Sequence, residues 1–220
     1  MKKFAIQLKR RFAFSIAVSL GCVALASVAF AADADLQLVR RTLNVGLIRS
    51  ISVPINWTAG AVENSNSREF MKDGKDLWDC TQHFEVSAPL HLDAELLWRL
   101  NELTKLSKLS ASDLDSIKIL PYFDESLNIR AVHVTGTVYS ANGRGIVVVE
   151  HCGKRIGACQ PISGGGTRRP LISFVSGVAY IPAGKETIQT IRFVSEVMGD
   201  TKPCHEVIRS MLKSIEWQDQ

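Results

Sequence analysis

A chain of 220 residues, 46% hydrophobic and 22% charged, has the composition of a folded protein and excludes a disordered or collagen-like one. Its formal charge of +4 is unevenly placed, because Lys2, Lys3, Lys9, Arg10 and Arg11 open the chain with no acid among them. Without those five, 21 basic residues face 22 acidic ones, a formal −1, and the basic face that nucleic acid would need is not evident, so no nucleic-acid partner is expected.

The basic opening leads into an apolar run from Phe12 to Phe30. It closes on Ala29-Phe30-Ala31, with small residues at the two positions a signal peptidase reads. Residues 1–31 are therefore expected to be a secretory signal. Residues 32–220, 189 in number, would form one periplasmic or secreted domain with no stable membrane insertion, long enough for one hydrophobic core. Cys22 goes with the signal. Cys80, Cys152, Cys159 and Cys204 remain, an even set that predicts two disulfides in an oxidising compartment. Of the three pairings open to four cysteines, Cys152–Cys159 with Cys80–Cys204 is favoured. The spacings are not those of a zinc ribbon or a redox CxxC. No metal or cofactor is expected, although His151 and His205 adjoin cysteines.

Ile51, Val53, Ile55 and Trp57 alternate with polar residues and Pro54, which predicts a strand, and the proline predicts an edge strand. Ala59–Lys75 reads as a surface loop and Phe84–Leu90 as a short strand. A helix is predicted from Asp93, a good N-cap, to Leu106, with Leu96, Leu100 and Leu103 on one face and Leu92 and Leu97 placed for a hydrophobic staple. Ser110–Ser116 adds a helical turn, and Ile117–Tyr122 extends again.

From there to Val194 the pattern is antiparallel sheet. Asn142-Gly143, between the alternating run of Val132, Val134 and Val138 and the branched apolar run Ile146–Val149, is the strongest short hairpin signal. A second hairpin pairs Leu171–Ile181 with Thr187–Val194 around Pro182-Ala183-Gly184-Lys185. The Ser163–Arg169 stretch between them is a glycine-rich flexible loop. A last helix runs from Pro203 to Trp217 with Thr201 or Asp200 as cap, and Cys204, Ile208, Met211 and Ile215 share its inner face. The expected fold is therefore a single α+β domain: an antiparallel sheet of hairpins, a mid-chain helix and a C-terminal helix packed on it. The Thr187–Val194 strand followed by Val207–Trp217, with its Ser214-Ile215-Glu216-Trp217 tail, resembles the close of Mog1/PsbP-like domains. That resemblance implies an α+β sheet finishing on a helix and carries no chemistry.

Counting outward from Asn142-Gly143 sets Tyr139 opposite Ile146 and His133 opposite Cys152, with Glu150 two residues along on the same face. Cysteine, histidine and carboxylate are the parts of a nucleophilic triad. The expected cystine, the strand setting and the lack of oxyanion donors all argue against catalysis. There is no G-x-S-x-G elbow. Asp113 and Asp115 read as solvated caps, and Asn56-Trp57-Thr58 is a glycosylation sequon.

Ser176-Gly177-Val178-Ala179-Tyr180 fits S-G-x-x-Y and so resembles periplasmic lysozyme inhibitors. The resemblance implies an exposed loop in which Ser176, Gly177 and Tyr180, with Lys185 nearby, enter a hydrolase cleft. The competing reading keeps Ser176–Ile181 in a strand, with Gly177 at a bulge. The functional expectation is a non-catalytic envelope domain that binds another protein, such as an inhibitor or immunity protein against a peptidoglycan hydrolase. The alternatives are an envelope enzyme using Cys152 and His133, or an accessory of a secretion or surface machine.

Overall fold

The computed structural model describes residues 36–60, 66–76, 78–116, 129–161 and 163–218. The expected signal at 1–31 and the extension at Ile117–Tyr122 lie outside them. Thirteen strands and three helices follow in order among the described residues. They are β1 (Leu38–Val45), β2 (Ile48–Pro54), β3 (Thr58–Ala59), β4 (Ser67–Lys72), β5 (Thr81–Ser87), β6 (Leu90–His91), α1 (Ala94–Leu103), α2 (Ala111–Ser116), β7 (Ile129–Ala141), β8 (Arg144–Ile156), β9 (Gln160–Pro161), β10 (Thr167–Arg168), β11 (Leu171–Pro182), β12 (Thr187–Val197), α3 (Lys202–Lys213) and β13 (Glu216–Trp217). None of the helices is long and apolar enough to cross a membrane.

The architecture is α+β and almost wholly antiparallel. A large sheet runs β3-β4-β5-β12-β11-β8-β7, with β6 also pairing β12, and a small one runs β1-β2-β13. Alternation along β11 explains how the layers stack. Val175, Ala179 and Ile181 face one core with Ile48, Ile51, Phe84, Phe193, Ile208 and Met211, which joins the small sheet and α3 to the large sheet. Val178 and Tyr180 face the opposite way, into a second core with Leu100, Leu103, Leu109, Val147 and Ile188 under α1. Buried on both faces, β11 reads as an almost unbroken apolar run.

Both predicted hairpins form. Asn142 and Gly143 take φ of 45° and 84°, the positive values a type I′ turn requires, and the register sets Tyr139 against Ile146. The α1 helix starts where Asp93 accepts hydrogen bonds from the Glu95 and Leu96 amides, and Asp200, not Thr201, accepts from the Lys202 amide at α3.

Several expectations are corrected. The last helix does not reach Trp217: α3 ends at Lys213, and Glu216–Trp217 form β13 beside β2. The strand holding Pro54 is the centre of the small sheet, not an edge, because Pro54 is its last residue and interrupts no interior ladder bond. The stretch Ala59–Lys75 contains β4, paired in register with β5 through Phe70 and Phe84. Its single deeply buried side chain gave no alternation to read. The Cys152–Cys159 disulfide is absent, and both cysteines are free. Strand β8 stays extended through Ile156, so Cys152–Ile156 alone spans about 13 Å at ~3.3 Å per residue, well beyond the ~7 Å Cα limit for a disulfide. Cys80–Cys204 forms as expected and ties the start of β5 to the first turn of α3.

Gly177 is not at a loop or a bulge. It pairs Glu150 on one side and Phe193 on the other, and the Phe193 ring lies over it. A Cβ there would press into that ring and stand 2.9 Å from the Val149 carbonyl oxygen. Gly177→Ala should therefore cost about 1–3 kcal/mol by overpacking, checked by urea denaturation. A neutral result would mean that the Phe193 ring can move aside.

Candidate functional site

The predicted binding residues do not form a loop. Ser176, Gly177 and Tyr180 all sit in mid-strand on β11, with Ser176 only 6% and Tyr180 only 2% exposed. Val148, Val178 and Ile181 surround this part of the strand, and a segment so continuously apolar gains more from burial on both faces than from display. Burial pushes the Tyr180 phenol up to about 12, partly offset by the Arg192 charge. Lys185 alone is exposed, in the turn between β11 and β12. The inhibitor-like loop is thus replaced by core strand.

The hairpin register does bring His133 opposite Cys152 and leaves Glu150 on the same face. The structure gives Glu150 a different partner, however. The β8 strand points its carboxylate under α3, where His205 Nε2 lies 2.5 Å from Oε1. Both groups are buried, with side chains 4% and 11% exposed. Arg209, one turn further along α3, brings Nη2 to 3.9 Å from the other carboxylate oxygen, and its Nε is buried without a hydrogen-bond partner. Arg209 also lowers the Tyr139 phenol pKa, against the larger rise from burial and the Glu150 charge. The result is a five-residue polar cluster, Tyr139, Glu150, Cys152, His205 and Arg209, roofed by α3.

Sequence reasoning named Cys152, Glu150 and His133; the structure keeps the first two in the cluster, leaves His133 exposed outside it, and adds Tyr139, His205 and Arg209. The signal was present: positions four apart share a helix face, and His205 follows the buried Cys204.

The electrostatics of the cluster oppose nucleophilic chemistry. Burial and then the Glu150 charge push the Cys152 thiol up, only partly opposed by Arg209. The same two causes raise the Tyr139 phenol. A reactive cysteine needs the reverse, a lowered thiol pKa. His133 is exposed. Asp113 caps Ser110, which holds its carboxyl below the usual range. No group of three or more His, Cys, Asp or Glu side chains among the described residues could hold a metal.

The two free thiols should therefore differ. A thiol whose pKa is raised stays protonated at a pH where an ordinary one ionises. At about pH 8 the native protein should label quickly at exposed Cys159 and slowly at Cys152, with both reacting after denaturation. Mass spectrometry of alkylated peptides reads this directly. Rapid labelling of Cys152 near neutral pH would restore the nucleophile reading.

No family model and no curated protein matches the chain. Among solved structures it is similar to the crystal structure of human STARD10, at 9% identity over 72% of this chain and 74% of that one, with a TM-score of 0.30. At that score the likeness establishes neither a fold family nor a chemistry.

Proposed function

We propose that the chain is an exported, non-catalytic envelope domain that binds another protein. The observation that carries this reading is the display of Trp78. Its side chain is 68% exposed, yet the loop beneath it is firmly braced. Asp76 accepts from the amides of Trp78 and Asp79, Lys72 pairs with Asp79 at 2.6 Å, and the Cys80–Cys204 disulfide closes the base. A side chain at Gly199 would meet the ring, its Cβ standing 3.7 Å from it. An exposed tryptophan on a loop tied down by hydrogen bonds suits docking, because less of the backbone has to be ordered, and tryptophan leads the residue types that dominate binding energy. The disulfide supports an oxidising compartment, in keeping with export.

A peptidoglycan hydrolase is the narrower partner class to test first. Its inhibition would run through Trp78, since Ser176 and Tyr180 face inward. Immobilised protein should retain a stoichiometric partner from an envelope extract, and Trp78→Ala should weaken that complex by about 2 kcal/mol or more. Inhibition assays against lysozymes and amidases then decide the hydrolase form. Turnover of an envelope substrate that disappears in Cys152→Ser would replace this reading with an enzyme.

A further inference from the structure

Among the described residues the large sheet ends on β7, thirteen residues long, whose one neighbour in the strand order is β8. On its outer side the connection between α1 and α2 begins a further ladder and then abandons it. Leu109 donates its amide to the Gly136 carbonyl at 3.4 Å, and Lys108 bridges Thr137. The chain then turns away into α2 at Ala111.

Because successive residues of a strand aim their N–H and C=O to opposite sides, the outward Gly136 carbonyl defines the rest. Thr135 and His133 point their backbone groups inward to Glu150 and Cys152. Val134 and Val132 point theirs outward, where no described residue meets them. Beyond the irregularity between Ile129 and Ala131, the run Val132–Val138 holds neither proline nor lysine, two of the residues that commonly protect an edge.

The two faces beside this edge differ. On one, Val134 is 48% exposed. On the other lie exposed His133, Thr135 and Lys154, and α3 reaches the sheet on that side through Arg209. The acid there, Glu150, is buried and already bonded to His205.

We infer that the outer edge of β7 at Val132–Val134 is a docking site for an extended segment of a partner protein, added as a further strand, whose residues alternate apolar against Val134 and acidic against His133 and Lys154. Backbone hydrogen bonds supply the affinity and the alternation supplies the selectivity. A second copy of this chain fits less well, since pairing β7 with itself would set side by side two faces that each carry the exposed Lys154 cation with its one acid, Glu150, already buried and bonded. The inference rests on the protein-binding reading and names a surface for it separate from Trp78.

The test uses the whole domain and a short fluorescein-labelled peptide alternating valine with glutamate, read by anisotropy. Val134→Pro is the decisive variant. It removes one outward N–H and no bond to β8, so the fold should persist. The valine–glutamate peptide should bind, and both a valine–lysine peptide and the Val134→Pro variant should bind at least about tenfold more weakly, or about 1.4 kcal/mol. The Val134 amide should exchange fast in the free protein and slowly with peptide. Equal binding by Val134→Pro, no binding of either peptide, or protection of Val134 only in a self-associated dimer would each overturn the inference. Capture of an envelope partner by wild type and Val134→Pro alike would sink this site while leaving the protein-binding reading intact. Failure of the wild type to capture any partner would remove the reading itself.

Discussion

Replacing both Cys80 and Cys204 with alanine should remove about 5 kcal/mol of stability. The bond joins residues 124 positions apart. Holding such distant points together in the unfolded chain removes loop entropy that grows with the logarithm of separation, which gives about 5 kcal/mol for a loop of this length. Domains are commonly stable by only ~5–15 kcal/mol, so the loss is a large fraction of the total. Reductant alone should reproduce it in the wild type and have no effect on the double variant. Urea midpoints measured with and without reductant check both statements. A midpoint that ignores reductant and substitution would show that packing around Cys204, not the covalent link, holds the start of α3.

His205→Ala should be nearly as damaging, at about 3–5 kcal/mol, because it leaves the buried Glu150 carboxylate without its closest partner. Arg209 does not make up the loss from 3.9 Å away with 42% of its side chain in water. Replacing both members of the pair by apolar residues of similar size, Glu150→Met with His205→Leu, should cost far less than the single change, since no uncompensated charge is left in the core. A double-mutant cycle from urea denaturation gives the coupling, expected to exceed ~0.5 kcal/mol. A double variant as unstable as the sum of the singles would mean that the two residues act separately.

Much of this fold was legible in the sequence, and the failures have identifiable causes. Asn142-Gly143 located the register correctly from the turn back to His133 opposite Cys152, because a two-residue turn with two positive φ values leaves no slack. Asp93 and the leucines after it located α1 for the same kind of local reason. The errors arose where distant parts of the chain decide. Pro54 looked like an edge marker until β13, some 160 residues later, arrived as the second neighbour of β2. Cys152 and Cys159 looked like a pair because they are close in sequence, but an extended strand turns closeness in sequence into distance in space. Ser176 and Tyr180 matched a loop motif while sitting in the most buried strand of the sheet. In the polar cluster, the hairpin supplied Glu150 but could not reveal that α3 would deliver His205 to it.

The small sheet also sets a timetable. Its centre, β2, is closed on one side by β1 immediately, but on the other only by β13, where the Ser50 hydroxyl donates to Glu216 across 166 residues. Trp217 then fastens to the Ala141 carbonyl, and the Gln218 amide to that of Leu47. Until those last residues are in place the chain can form hairpins and the core under α1, but β2 stays half-paired. A stop placed just after α3 should therefore yield a chain that leaves one side of β2 open and is cleared by proteolysis.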